Sequence, residues 1–447
     1  MACKIAVIGA GGACFVTGFI KDICESKYLG GCTLSLMDVN ETKLMEARGV
    51  AERYIAETGA EVNVLTTTDR EQALTGADYV ILTALVTGNE KYKELIKVGL
   101  KHGYRFGGSL HVMHDEAFAI NFYQLQLMDE IVGDIQRICP NAYFITTSNP
   151  VQAGITYLGR KYPKAKIVGL CPGFCCFYEF TDVMGLERDK VEFDFAGVNH
   201  FIWLTKFIYD GQDGYKLIDK WIEEKFEEYC KVPDYNDGKG KKAIDVYRRF
   251  GIFPIGDTVT VGGGSWAWHY HTDDATEQRY GENPAVVWED YFSRCENQLE
   301  FRRKIVNDTS IKLSDGVMPI VYDQTISFIE SMEANLGRVL VVNVMNDGYM
   351  KGLPQDYETE IKAVVDKDGV HPLKNDGLPK SVMSVLMHDR IAPVEMELEA
   401  FKTGDKKYLK ELVMFDPWTR NEQQAEALIE EILSLPWNKK MKEYFSK

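Results

Sequence analysis

The run KIAVIGAGG at residues 4–12 constrains this chain more than any other stretch. Ile5 to Ile8 form a short apolar block stopped by glycines, which reads as a buried strand and not as a buried helix segment. A helix-forming stretch, CFVTGFIKDI, follows at once. Strand, glycine turn and helix in that order place Gly9 where the chain must turn tightly and Gly11 where backbone must approach a ligand closely. A pyrophosphate would then sit at the helix N-terminus. The third glycine of the usual pattern is replaced by Cys14, and glycines also serve ordinary turns, so this motif needs its context.

The context is a repeated alternation. TLSLMDV reads as a second strand, ending in Asp38. A helix (41–57), a strand (61–67), a helix start (69–76) and the strand ADYVILTAL (77–85) follow. After a long helical stretch come the strands NAYFITTSNPV (141–151) and AKIVGLCPG (165–173). Alternating strands and helices imply a parallel sheet, whose ligands gather at the strand C-termini. Gly11, Asp38, Thr87, Asn149 and Cys171 are therefore expected along one rim. An acid at Asp38 can accept hydrogen bonds from a ribose 2′-OH, which favours NAD over NADP. The candidate cofactor contacts are Gly9, Gly11, Gly12, Asp38, Thr87 and Asn149, within a dinucleotide-binding domain spanning 1–190.

Charge narrows the partners. A formal net charge of −16 argues against nucleic acid or an anionic membrane as the main partner. A small acidic substrate stays compatible, because a few local cations outweigh a distant net charge. The N-terminus enters a strand without the regions of a signal peptide, and no apolar run reaches the roughly 18 residues that span a bilayer. A cytoplasmic location is expected, with the ten cysteines as thiols. GLCPGFCC (169–176) holds three of them without CxxC spacing, so packing is the simplest reading of Cys175 and Cys176.

From about residue 190 the alternation fades. VEFDFAGVNHFIWLTKFIYDG (191–211) reads as strands interrupted at Asn199–His200, and DKWIEEKFEEYC and KAIDVYRRF read as amphipathic helices. The segment GIFPIGDTVTVGGGSWAWHYHTDD (251–274) concentrates glycine, aromatics, histidine and acid. Trp266, Trp268 and Tyr270 could line a sugar site or lie tucked beneath a surface loop. Two helical segments, 421–435 and 437–445, close the chain and are expected to pack against this second half. One cysteine and one distant histidine make no metal signature by themselves. Read from residues alone, the chain is an NAD-dependent enzyme with a polar pocket.

The ordered set GAGG, MDV, SNPV, GLC, GVNHFIW and PIGD resembles glycoside hydrolase family 4, the glycosidases that use NAD and a divalent metal, over nearly the whole chain. GVNHFIWL, FPIGDT and SWxxHY look most like the branch acting on α-linked uronic acids, the α-glucuronidases and α-galacturonidases. The resemblance implies an α/β chain: an N-terminal Rossmann-type parallel sheet followed by a mixed α+β substrate domain, organised like lactate and malate dehydrogenases. Residues 191–447 would then carry substrate, metal and oligomer contacts, in a homodimer or homotetramer.

Residue by residue, the resemblance implies Cys171 and His200 as ligands of Mn²⁺ or another divalent metal. Asn149 and Asn199 would hold the sugar, and Asp257 would be the base for its C2 proton. Asp115 is the nearest match for the leaving-group acid, with Glu116, His111 and His114 as rivals. The implied reaction is oxidation at C3, deprotonation at C2, elimination at C1, water addition and re-reduction. One departure is Pro172, where that branch usually has histidine; proline removes a side-chain donor and a backbone N–H. His269 and His271 could replace the donor or serve the structure, and Arg105 or Lys91 could face a sugar carboxylate. An oxidoreductase of a sugar or hydroxy acid, another glycosidase specificity and a non-catalytic NAD sensor are the competing readings.

Overall fold

The computed structural model describes residues 3–12, 15–114, 116–232, 238–260, 266–313 and 323–446. Its strands are β1 (Lys4–Ile8), β2 (Thr33–Met37), β3 (Asn63–Thr67), β4 (Tyr79–Leu82), β5 (Tyr143–Thr146), β6 (Lys166–Gly169), β7 (Val191–Val198), β8 (Phe201–Tyr209), β9 (Gln212–Asp213), β10 (Phe253–Ile255), β11 (Arg338–Met345), β12 (Glu358–Asp366) and β13 (Gly369–Pro372).

The first six strands pair in parallel in the order β3-β2-β1-β4-β5-β6. Ile5, Ala6, Val7 and Ile8 are all buried, as a strand covered by helices on both faces requires. The crossover helices begin and end where the residues dictate. In the helix Glu41–Thr58, the Asn40 side chain accepts the Lys43 N–H, and Gly59 ends the helix in the left-handed region.

The sheet does not stop with the sixth strand. β11 pairs antiparallel with β6, and β12 and β13 extend the edge, giving a nine-stranded sheet among the described residues. These strands lie far beyond the point where alternation fades in the sequence. Their local pattern says "strand" but carries no record of which sheet they join.

A second sheet is built on the hairpin β7–β8, whose two connecting residues are Asn199 and His200. β9 and β10 both pair with β8. β7 runs beside β12, where Thr359 donates to the Gly197 carbonyl at 2.9 Å and Lys362 donates to the Phe193 carbonyl. Phe201 and Trp203 are fully buried, and Phe201 meets Trp266 edge-on at 5.5 Å. Burying a side chain such as Phe201 stabilises the fold by about 2–3 kcal/mol. The strands expected on either side of Asn199–His200 are thus present, and the structure makes the interruption the tip of a hairpin.

One expectation needs correcting. The helix Glu422–Ser434 and the segment after it pack on the helix Gly88–Lys101 of the first half as well as on the helix Lys406–Met414. Glu431 accepts from Lys101 at 2.7 Å and lies 2.8 Å from His102 Nε2, and Trp437 donates to Glu94 at 2.6 Å. The partners lie hundreds of residues away, so charge pairing across the two halves was not visible in local sequence. Among the described residues, no helix is long and apolar enough to cross a membrane.

Candidate active site

The glycine turn after β1 is tightly constrained. Gly9 has φ +91°, and a Cβ there would lie 2.6 Å from the Ala84 backbone nitrogen. The Gly11 N–H donates to Asp38 Oδ2 at 2.7 Å, and a Cβ on Gly11 would come within 2.8 Å of the same oxygen. Asp38 Oδ1 accepts the Asn40 N–H at 2.8 Å, so the carboxylate at the end of β2 is fixed against the turn. Gly12 closes the turn through its N–H to the Gly9 carbonyl at 2.9 Å. Thr87 is buried at the start of the helix Gly88–Lys101, and its hydroxyl has no hydrogen-bond partner among the described residues. Bare backbone, a fixed acid and a waiting hydroxyl fit a dinucleotide. Sequence reasoning missed Arg302, which is buried and donates to the Gly12 carbonyl from the helix Pro284–Asn307.

A second cluster lies at the end of β6. Cys171 follows that strand, His200 occupies the hairpin tip, and Asp257 sits in the 3₁₀ turn Gly256–Thr258 after β10. One ligand atom from each lies within 4.8 Å of the others, an arrangement that could hold a metal ion. Local backbone makes the approach close. A Cβ on Gly173 would sit 3.4 Å from Asp257 Oδ2 and 3.5 Å from Cys171 Sγ, and one on Gly256 would meet the Gly173 carbonyl at 2.8 Å. Thr258 latches the turn to the hairpin, accepting the Ile202 N–H and donating to the Ile202 carbonyl, both at 2.8 Å. Thr260 donates to Asp257 Oδ1 at 2.8 Å, leaving Oδ2 toward the cluster.

The electrostatics ask for a cation. Burial, reinforced by the Glu360 and Asp257 carboxylates, pushes the Cys171 thiol well above its ordinary range. Burial also raises Glu360 to about 8, against the pull of the Asn199 amide, and raises Glu358 well above the carboxylate range. A sulfur, an imidazole nitrogen and a carboxylate in one place suit a divalent ion, which would favour the ionised forms that burial opposes.

Asn199 is fully buried, its N–H shared between the Glu358 oxygens at 3.2 and 3.3 Å and its amide given to Glu360 at 3.1 Å. These bonds hold Asn199 at the hairpin tip, next to the cluster. Asn149 follows β5, half-buried on the same rim. Cys14 and Asp115 lie outside the described residues.

The rivals to Asp115 are all buried. Glu116 is buried against Arg390 at 2.9 Å. His111 faces Glu397 at 3.6 Å. His114 is fully buried and accepts the Gly107 N–H, and burial, with Lys242 adding, lowers it to about 3.

The aromatic loop divides. Trp266 and Tyr270 are buried, and Trp266 donates to the Thr258 carbonyl at 2.7 Å, whereas Trp268 stays 41% exposed. His271 is buried between Lys242 at 3.1 Å and Glu277 at 3.2 Å, which is a structural placement, and His269 pairs with Arg249. Arg105 faces Asp274 at 3.4 Å beside a cavity of about 1010 Å³, and Lys91 lies over the Trp437 ring at 5.5 Å. A buried cation near the Asp257 turn is Lys239. It follows Gly238, where a Cβ would be 3.6 Å from the Gly256 carbonyl oxygen, and it lies 3.6 Å from Glu179. Cys175 is buried and Cys176 partly so.

The chain is 27% identical to an α-galactosidase of Bacillus subtilis (strain 168), over 97% of this chain and 96% of that protein. It is 24% identical to an α-galacturonidase of Thermoanaerobacter italicus, over 95% and 94% of the two. Among solved structures it shares the fold of a 6-phospho-α-glucosidase from gut microorganisms in complex with NAD and Mn²⁺, with a TM-score of 0.81, 17% identity and 99% coverage of both chains. The family model for family 4 glycosyl hydrolases matches residues 4–185, and the model for their C-terminal domain matches residues 195–419. With both halves of the family present in order, and the glycine turn and the Cys171–His200–Asp257 cluster in place, this chain belongs to the family 4 glycosyl hydrolases.

Proposed function

We propose that this glycoside hydrolase is an NAD- and Mn²⁺-dependent α-glycosidase acting on hexuronic acid glycosides, the α-galacturonides or α-glucuronides. The observation that carries the proposal is the convergence of Cys171, His200 and Asp257 within 4.8 Å, in a fold whose glycine turn fits a dinucleotide. Gly9, Gly11, Gly12, Asp38, Thr87 and Asn149 hold the cofactor, and Cys171 and His200 hold the metal. When bound, these groups supply hydride transfer at C3 of the sugar and Lewis-acid polarisation of its C2 and C3 oxygens. The protein's own part is positional and basic. Thr260 fixes one oxygen of Asp257 so that the other removes the C2 proton, after which the C1–O bond breaks and water adds. Asp115 is the residue proposed to protonate the leaving group.

An acidic sugar is supported by the similarity to an α-galacturonidase and by Lys239, one of two buried lysines among the described residues, beside the Asp257 turn. Residues 1–190 serve the dinucleotide and supply the metal ligand Cys171, and 191–447 serve the sugar and supply His200, in a cytoplasmic homodimer or homotetramer. A neutral α-galactoside is the second reading, favoured by the 27% identity to an α-galactosidase.

Incubation with p-nitrophenyl α-D-galacturonide, α-D-glucuronide and α-D-galactoside, with NAD⁺, Mn²⁺ and reductant, separates the two. Turnover of a uronide is expected; turnover of the galactoside alone replaces the substrate and keeps the family. Net accumulation of NADH would instead mark an oxidoreductase, because the hydrolase regenerates its cofactor in each cycle.

A further inference from the structure

We propose that Glu116 is a positioning residue for His200, holding Nδ1 so that Nε2 is presented to the metal, with Arg390 locking both. This rests on the reading of His200 as a metal ligand. The ring has a carboxylate on each side: Asp257 Oδ2 is 3.5 Å from Nε2, and Glu116 Oε1 is 3.6 Å from Nδ1. A metal-binding histidine commonly gives its other ring N–H to such a carboxylate, which sets the tautomer and the ring plane.

Arg390 ties the parts together. Its Nη2 donates to Glu116 Oε1 at 2.9 Å, to Gln152 Oε1 at 2.8 Å and to the Asn199 carbonyl at 3.1 Å. One guanidinium therefore fixes the carboxylate behind the ring and the peptide that leads into it. Both Glu116 and Arg390 are buried, so neither is a solvated surface charge. Burial opposes ionisation of Glu116, but Arg390, His200 and His111 together outweigh it and hold the carboxyl below its ordinary value.

Two backbone features accommodate this arrangement. His200 has φ +60°, an uncommon conformation for a residue other than glycine. Arg390 lies in the π-helical turn Met387–Ile391, and such turns recur at functional sites.

The test is Co²⁺ binding to the full chain, followed by titration and by visible absorption of the bound ion, in the unsubstituted protein, Glu116→Gln, the double variant Glu116→Met/Arg390→Met, and His200→Ala. The double variant removes the charged pair together, so no buried charge is left alone. Affinity about 10- to 100-fold weaker in both Glu116 variants is expected, with an altered absorption band, and the double variant is expected to lose less melting temperature in the metal-free protein than Glu116→Gln. Unchanged affinity and absorption in both, with binding lost in His200→Ala, overturns the role of Glu116 and leaves the metal reading standing. Unchanged binding in His200→Ala overturns both.

The ¹⁵N spectrum of the histidines in the unsubstituted protein gives a readout that needs no Glu116 variant to fold. The His200 resonance, assigned by its absence from His200→Ala, is expected to show Nδ1 protonated and Nε2 bare. A proton on Nε2 in the metal-free protein overturns the proposal.

Discussion

Asp257 Oδ2 stands 3.5 Å from His200 Nε2, so the carboxylate proposed as base shares its space with the imidazole proposed as ligand. The two roles predict different losses. As a base, Asp257 replaced by Asn lowers turnover by about 10²- to 10⁴-fold and leaves Mn²⁺ affinity within a few-fold. As a third ligand, the same change weakens metal binding in proportion. We expect the first pattern, measured by kcat beside a Mn²⁺ titration, and loss of hydrogen–deuterium exchange at the sugar C2.

The glycine turn has room for no side chain at Gly11, whose N–H is given to Asp38. Gly11→Ala is expected to displace Asp38 and weaken NAD⁺ binding by about tenfold or more, the usual result of forcing a methyl into a filled space. Calorimetric titration with NAD⁺ measures it. Wild-type affinity would remove this turn from the cofactor site.

Lys239 provides the test of sugar charge. Lys239→Met is expected to raise KM for an α-galacturonide by about 10- to 100-fold, the value of a hydrogen bond to a charged group. Activity on a neutral α-galactoside, where present, should hold steady. Equal losses on both substrates would make Lys239 a structural cation paired with Glu179.

Stability should carry the mark of Asp416, which is buried and accepts the Trp418 N–H at 2.9 Å. Burial raises its carboxyl to about 7, against that hydrogen bond. In the unfolded chain the same group releases its proton near pH ~4. Between about pH 4 and 7 the folded state therefore holds more protons, and stability falls as pH rises through that window. The full contribution is present below about pH 4 and gone above about pH 7, a change on the order of 4 kcal/mol. Asp416→Asn keeps the acceptor and removes the titration, so its unfolding free energy should fall less between about pH 5 and 8 than that of the unsubstituted protein. Parallel profiles would exclude Asp416 as the source.

The first half of this fold was legible because its information is local. A strand ending in glycines, an acid directly after a second strand and a repeated strand–helix alternation each lie within a few dozen residues, and backbone geometry turns that spacing into a parallel sheet. The break at Asn199–His200 was readable for the same reason, as an interruption between two apolar runs, and the structure makes it a hairpin tip. What only tertiary structure decided is the company of His200. Glu116, Glu358, Glu360 and Arg390 come from three distant segments, and their residue types, read alone, suggest solvent-facing charge. They are buried because each has a partner supplied by another segment, and such a match between distant buried charges leaves no periodicity in the chain.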